Sequence, residues 1–184
     1  MDRDKSRISI FVIIFAIALP LFPMAGEKLS ESSEKPPEGI LFLPKDDEIK
    51  DWKKDGEFLK ATNSEDLFKL MNGGASIYIK YGCQSFCGQT YKNSKNVELE
   101  VSIFDQGSPQ NARKLYQDPL VLPKPGRRLE NLGDEARVDE RGLFQYGIES
   151  IRDRYFVRIV IQDKTEGGMN TAILFSRFIS EKIK

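Results

Sequence analysis

Cys83 and Cys87 are the only cysteines in the chain, and their spacing decides what sulfur chemistry is open to it. The pattern is C-x-x-x-C, one residue longer than the C-x-x-C of thioredoxin-like redox sites. In an extended strand the two Cα atoms would stand about 13 Å apart, beyond the roughly 4.4–6.8 Å that a disulfide spans. If the segment turns instead, helped by Gly82 and Gly88, the separation falls to about 6 Å and a disulfide closes. The readings are therefore a Cys83–Cys87 disulfide or two separate thiols, with a thiol-dependent redox protein as the functional alternative. A zinc shell is short of ligands, since the 184 residues hold no histidine and no third cysteine.

The missing histidine also removes the commonest general base and triad member near neutral pH. No G-x-S-x-G, P-loop, G-x-G-x-x-G or H-E-x-x-H pattern occurs. No catalytic residue, metal ligand or cofactor site is assigned, and the chain reads as non-catalytic. Asp46-Asp47-Glu48 lacks the spaced oxygens and glycine of a calcium loop and reads as a solvated acidic turn. Lys124-Pro125-Gly126-Arg127-Arg128 reads as a solvated basic loop, with anion binding as the alternative. Lys+Arg and Asp+Glu are both 28, so no net field favours nucleic acid. The expected partner is an envelope protein or a small molecule. Candidate binding residues are Asn72, beside Gly73-Gly74, and Phe104 and Phe156, which lie on nominally outer strand faces and need cover from a helix or another molecule.

Periodicity supplies the elements that carry these residues. Leu67, Leu70, Met71, Gly74, Ala75, Tyr78 and Tyr81 recur at helical spacing over 65–81, with Asn63 or Ser64 as cap and Gly82 as terminator. Val97 to Asp105 alternates as a half-buried strand. Ser108-Pro109 opens a short helix that ends before Pro119, and the prolines at 119, 123 and 125 make a stiff connection. Residues 135–140, 143–151 and 155–162 read as three strands joined by short turns, which favour antiparallel pairing. Residues 84–92 add a strand and 57–61 a short one. A C-terminal helix after Gly167-Gly168 carries Ala172, Phe175, Ile179 and Ile183 on one face. Trp52 reads as a core anchor. On outer strand faces, Glu98 and Glu100 are expected to meet Arg154 and Arg158 in cross-strand ion pairs. The sum is an α+β fold, a mainly antiparallel sheet of about five to seven strands with three helices packed on it.

The N-terminus carries Arg3, Lys5 and Arg7 ahead of an apolar run from Ile8 to Phe22. That pattern is a signal-peptide core, shorter than the roughly 20 apolar residues that span a bilayer. Pro23 would occupy the −3 position of a cut after Ala25, so an uncleaved N-terminal membrane anchor is the alternative. The expected organisation is 1–26 signal peptide or anchor, 27–39 linker containing Pro36-Pro37, and 40–184 one α+β domain, placed outside the cytoplasm as a periplasmic or secreted protein.

The run Asp66-Leu67-Phe68, Asn72-Gly73-Gly74-Ala75 and Tyr81-Gly82 resembles a family of exported bacterial proteins of unknown function. Trp52, the Phe104-Asp105-x-Gly107-Ser108-Pro109 turn and Leu132-Gly133-Asp134-Glu135-Ala136 extend the likeness over most of the chain from Leu41 onward. The order of elements also looks like the extracytoplasmic α+β domains that include the photosystem accessory protein PsbP. The resemblance implies export and fold, and it carries no activity and no catalytic residue.

Overall fold

Among the described residues, seven strands form one sheet in which every neighbouring pair is antiparallel. The computed structural model describes residues 36–121 and 126–183. The segment expected to direct export or anchor the chain, 1–26, lies outside the described residues, as does linker 27–35.

The strands are β1 (Trp52–Ala61), β2 (Ser85–Asn93), β3 (Glu98–Asp105), β4 (Arg127–Leu129), β5 (Glu135–Asp139), β6 (Tyr146–Arg152) and β7 (Tyr155–Ile161). Their order across the sheet is β1-β2-β3-β7-β6-β5-β4. Helices α1 (Ser64–Met71) and α2 (Ala75–Lys80) lie between β1 and β2, α3 (Pro109–Gln117) follows β3, and α4 (Glu166–Lys182) ends the chain. A 3₁₀ turn at Glu38–Phe42 precedes the sheet, with Gly39 already buried, so the folded part begins slightly before Ile40. Among the described residues no helix is long and apolar enough to cross a membrane.

One face of the sheet is closed by α4. Ala172, Phe175 and Ile179 are fully buried against Val101, Ile148, Ile159 and Ile161. Phe175 meets the ring edges of Trp52 and Tyr91 at centroid distances of 5.4 and 5.2 Å. Trp52 is thus a core residue, as its isolation in a charged segment predicts. The polar atoms on this face are satisfied: Tyr91 Oη donates to Pro44 O at 2.9 Å, and Ser150 and Ser176 share a 3.1 Å hydrogen bond. Thr165 accepts from the Gly168 N–H to cap α4, and a Cβ on Gly168 would stand 2.2 Å from Asp163 O, so only glycine lets the loop pass this close.

Among the described residues, the opposite face is covered at one end only. Phe86, Phe104, Phe156 and Ile151 form a single cross-strand row over β2, β3, β7 and β6, and α2 and α3 lay Tyr78, Ala112 and Leu115 on it. Tyr78 stacks on Phe104 with centroids 3.8 Å apart and planes 1° from parallel. Of the two forms of cover expected for Phe104 and Phe156, helices supply it, leaving them 1% and 0% exposed.

Two elements differ from their expected form. The helix expected over 65–81 is broken at Asn72, whose φ of 49° ends α1, and a 3₁₀ turn at Asn72–Gly74 leads into α2. Propensity acts here as it should, because the glycine pair weakens a continuous helix. β1 runs ten residues rather than five, and its edge position explains why. Only Trp52 and Ala61 at its ends are buried, so no apolar alternation marks it. A bulge between Asp55 and Leu59, with Gly56 at φ 73°, twists this edge. Short β4 falls where the basic loop was expected; Arg127 pairs with Glu140 and Arg128 with Glu130, at 3.3 Å each. Both arginines therefore have carboxylate partners of their own.

Candidate functional site

Beyond the phenylalanine row, the half-covered face changes character within two residues along each strand. The next row reads Gly88, Ser102, Arg158, Glu149 and Arg137 across β2, β3, β7, β6 and β5. The row after it reads Thr90, Glu100, Val160, Gly147 and Asp139. Bulky side chains under α2 stand beside smaller ones at Ser102 and Val160, and the step makes a cleft of about 380 Å³. Glu100, Ser102, Arg158, Val160 and Gln162 form its floor, Met71, Tyr78 and Phe104 its apolar end, and Gln145 its far rim. That size lies within the roughly 300–1,000 Å³ typical of small-molecule sites.

Arg158 occupies the centre. It is half-buried, directly opposite Ser102 on one side and Glu149 on the other. The cross-strand ion pairs expected from the sequence do not form in that arrangement. Glu98 pairs with Lys92 at 3.2 Å, and Arg154, in the turn before β7, reaches Glu38 at 2.7 Å and Asp105 at 3.1 Å. Arg158 and Glu100 sit diagonally on adjacent strands, yet among the described residues neither has an ion-pair partner within 4.0 Å. Burial pushes the Tyr78 hydroxyl above the usual tyrosine range, and the nearby Arg158 guanidinium partly offsets this.

Glu149 is the deepest charge in the molecule's polar row. Its side chain is fully buried, and Oε2 accepts from Arg137 Nε at 2.8 Å and Nη2 at 2.6 Å. Glu149 Oε1 has no hydrogen-bond partner among the described residues. Arg137 in turn lies 4.1 Å over the Tyr116 ring of α3, so the pair also ties α3 to the sheet. With Glu149 engaged by Arg137, the guanidinium of Arg158 is left facing the cleft.

The thiols do not form a site. Cys87 faces the α4 side and packs where a Cβ on Gly39 would meet its Sγ at 2.9 Å, whereas Cys83 precedes β2 and packs with the opposite cluster. Both are free, and the disulfide that a turning segment would have allowed is not formed, because the chain enters extended β2 at Ser85. Burial pushes each thiol up to about 12, with the Asp105 charge adding to the effect at Cys83. A nucleophilic or redox cysteine needs the opposite shift. Among the described residues no cluster of histidine, cysteine, aspartate and glutamate could hold a metal ion. Asp46 and Glu48 instead accept backbone N–H bonds from Lys54 and Lys45 at 2.9 and 2.7 Å, which shapes the turn into β1. Asn72 is exposed on the α1–α2 turn, outside the cleft lining.

Of the residues singled out from the sequence for binding, Phe104 lines the cleft, while Asn72 and Phe156 are outside its lining. Tyr78 was legible only as core, and Arg158 and Glu100 only as one side each of an ion pair. The available signal was the outer face of β7, where Phe156, Arg158 and Val160 mix types in a way that a uniformly solvated or uniformly covered face would not.

No protein-family model matches the chain, and no curated protein matches it. Among solved structures, the crystal structure of the extracellular domain of PknH from Mycobacterium tuberculosis is similar in fold. It superposes with a TM-score of 0.54 at 12% identity, covering 81% of this chain and 97% of that one. At this identity the likeness is one of architecture: an antiparallel sheet with helices packed on it.

Proposed function

We propose that this chain is a non-catalytic extracytoplasmic binding domain, and that it takes a small organic anion in the cleft over β3 and β7. The observation that carries the reading is Arg158, a half-buried guanidinium on the floor of a 380 Å³ cleft with no carboxylate partner among the described residues. A guanidinium presents donors in a fixed fork that suits a carboxylate or phosphate. Ser102, Gln145 and Gln162 supply further hydrogen-bonding groups, and Met71, Tyr78 and Val160 supply apolar contact. The extracytoplasmic assignment is supported by the charged-then-apolar N-terminal pattern and by a fold shared with an extracellular domain.

Two measurements test it. Cell fractionation with mass analysis of the N-terminus should find the protein outside the cytoplasm; a purely cytoplasmic pool would end the localisation reading. A thermal-shift screen of carboxylates and phosphates on the full chain should find stabilising ligands whose effect vanishes in Arg158→Gln. Equal shifts in both proteins would remove Arg158 from the site.

A further inference from the structure

Among the described residues, the cleft's negative charge, Glu100, and its positive one, Arg158, each lack an ion-pair partner, although Arg158 hydrogen-bonds the Tyr78 hydroxyl. Glu100 and Arg158 lie on adjacent antiparallel strands of the same face, two residues out of direct register, since Glu100 faces Val160 and Arg158 faces Ser102. Elsewhere on this face opposite charges have closed on one another, and one of these pairs, Lys92 and Asp55, does so across a similar diagonal. Lys92 contacts Asp55 at 3.0 Å and Glu98 at 3.2 Å, Arg141 contacts Asp139 at 2.8 Å, and Arg137 contacts Glu149 at 2.6 Å. Glu100 and Arg158 remain farther apart than 4.0 Å, with Ser102 directly opposite Arg158 and also lining the cleft.

Resting on the reading of the cleft as an anion site, we infer that its ligand is a zwitterion: a free α-amino acid with an apolar side chain. Arg158 takes the α-carboxylate through its paired N–H donors, and Ser102 adds a donor beside it. Glu100 accepts from the ammonium, which an α-amino acid places one carbon from its carboxylate. The apolar end formed by Met71, Tyr78 and Phe104 receives the side chain. Such a ligand completes both charges at once, whereas a simple anion would leave Glu100 repelling it. Phosphate esters and dicarboxylates are disfavoured on the same ground, because each brings a second negative charge toward Glu100.

Calorimetric titration of the full chain with three probes separates the possibilities: L-phenylalanine, 3-phenylpropionate, which lacks the ammonium, and L-phenylalaninamide, which lacks the carboxylate. L-Phenylalanine is expected to bind, and loss of either group to weaken binding about tenfold or more, the scale of one charged hydrogen bond. Glu100→Gln should bring L-phenylalanine and 3-phenylpropionate to similar affinity, while Arg158→Gln should weaken both. Circular dichroism and the unfolding midpoint of each variant confirm that its fold is retained. If 3-phenylpropionate binds wild type as tightly as L-phenylalanine, or Glu100→Gln leaves their ratio unchanged, the zwitterion is overturned while the anion cleft stands. If no probe binds, the zwitterion falls; whether the anion cleft falls with it is read from the separate carboxylate and phosphate screen.

Discussion

On one face of the sheet, the 17 residues of α4 press aromatic and aliphatic side chains against strands β2, β3, β7 and β6. On the other, α1 to α3 have 6 to 9 residues each and cover the row of phenylalanines and, through Tyr116 over Arg137, one end of the next row, leaving Ser102, Arg158 and Glu100 to the cleft. The strands are the same, so the difference lies in helix length and placement. A face closed end to end contributes stability and offers no access. A face closed at one end leaves a step between helix and bare sheet, and that step is the cleft. The proposed binding cleft and the α4 core thus lie on opposite sides of one sheet, which substitutions can separate.

The largest effect belongs on the α4 face. Phe175→Ala removes a fully buried ring held between Trp52 and Tyr91 and should lower stability by about 3–5 kcal/mol in urea titrations. A loss below about 1 kcal/mol would mean that this face is not the main core. Next comes the buried pair under the cleft. Arg137→Met leaves the Glu149 carboxylate buried without its partner and should cost about 3 kcal/mol. The double replacement Arg137→Met with Glu149→Leu should recover most of that loss, since the uncompensated charge is gone; equal losses in the single and double variants would show that packing, not charge, sets the cost. Thr165→Ala deletes the α4 cap and should cost about 1 kcal/mol.

A smaller, pH-dependent effect tests the helical cover of the second face. Asp118 accepts from Tyr81 Oη at 2.7 Å and from Lys80 Nζ at 3.0 Å, tying α2 to the end of α3. The Tyr81 hydrogen bond, then that of the Leu120 N–H, then Lys80, hold its carboxyl down at about 2 against an ordinary 3.8. A depressed carboxylate stabilises the fold fully above its unfolded value and ceases to do so as pH falls through the folded one. Between about pH 4 and 2 the wild type should therefore lose stability that Asp118→Asn does not lose, as read from urea midpoints across that range; parallel curves would exclude the linkage. The smallest stability change should be at the cleft itself. Among the described residues Arg158→Gln breaks no ion pair and should shift stability by no more than about 0.5 kcal/mol, while the proposed anion binding should be lost. A loss several times larger would make Arg158 a structural residue and blur the contrast between the faces.

Much of the fold could be read from residue order. Strands β3, β5, β6 and β7, the Asn63 and Ser108 caps, Pro109 at the head of α3 and the inward stripe of α4 all follow local patterns that the structure repeats within a few residues. β1 escaped because an edge strand buried at its two ends leaves no alternation, and β4 because three residues carry no period. The cleft was not legible. Alternation along β7 says that Arg158 points away from the core, but not which side chains stand beside it.

The sequence by itself determined most of the helices and strands and which side of β3 and β7 is apolar, because those depend on neighbours within a few positions of the chain. Only the tertiary structure decided that Phe104 and Phe156 lie under helices, that Arg137 rather than Arg158 takes Glu149, and that Glu100 and Arg158 share a cleft. Those outcomes depend on the register between strands distant in sequence and on how far short helices reach across a sheet. A shift of two residues in the β3–β7 pairing would keep every apolar side chain facing the core and would change which charges meet.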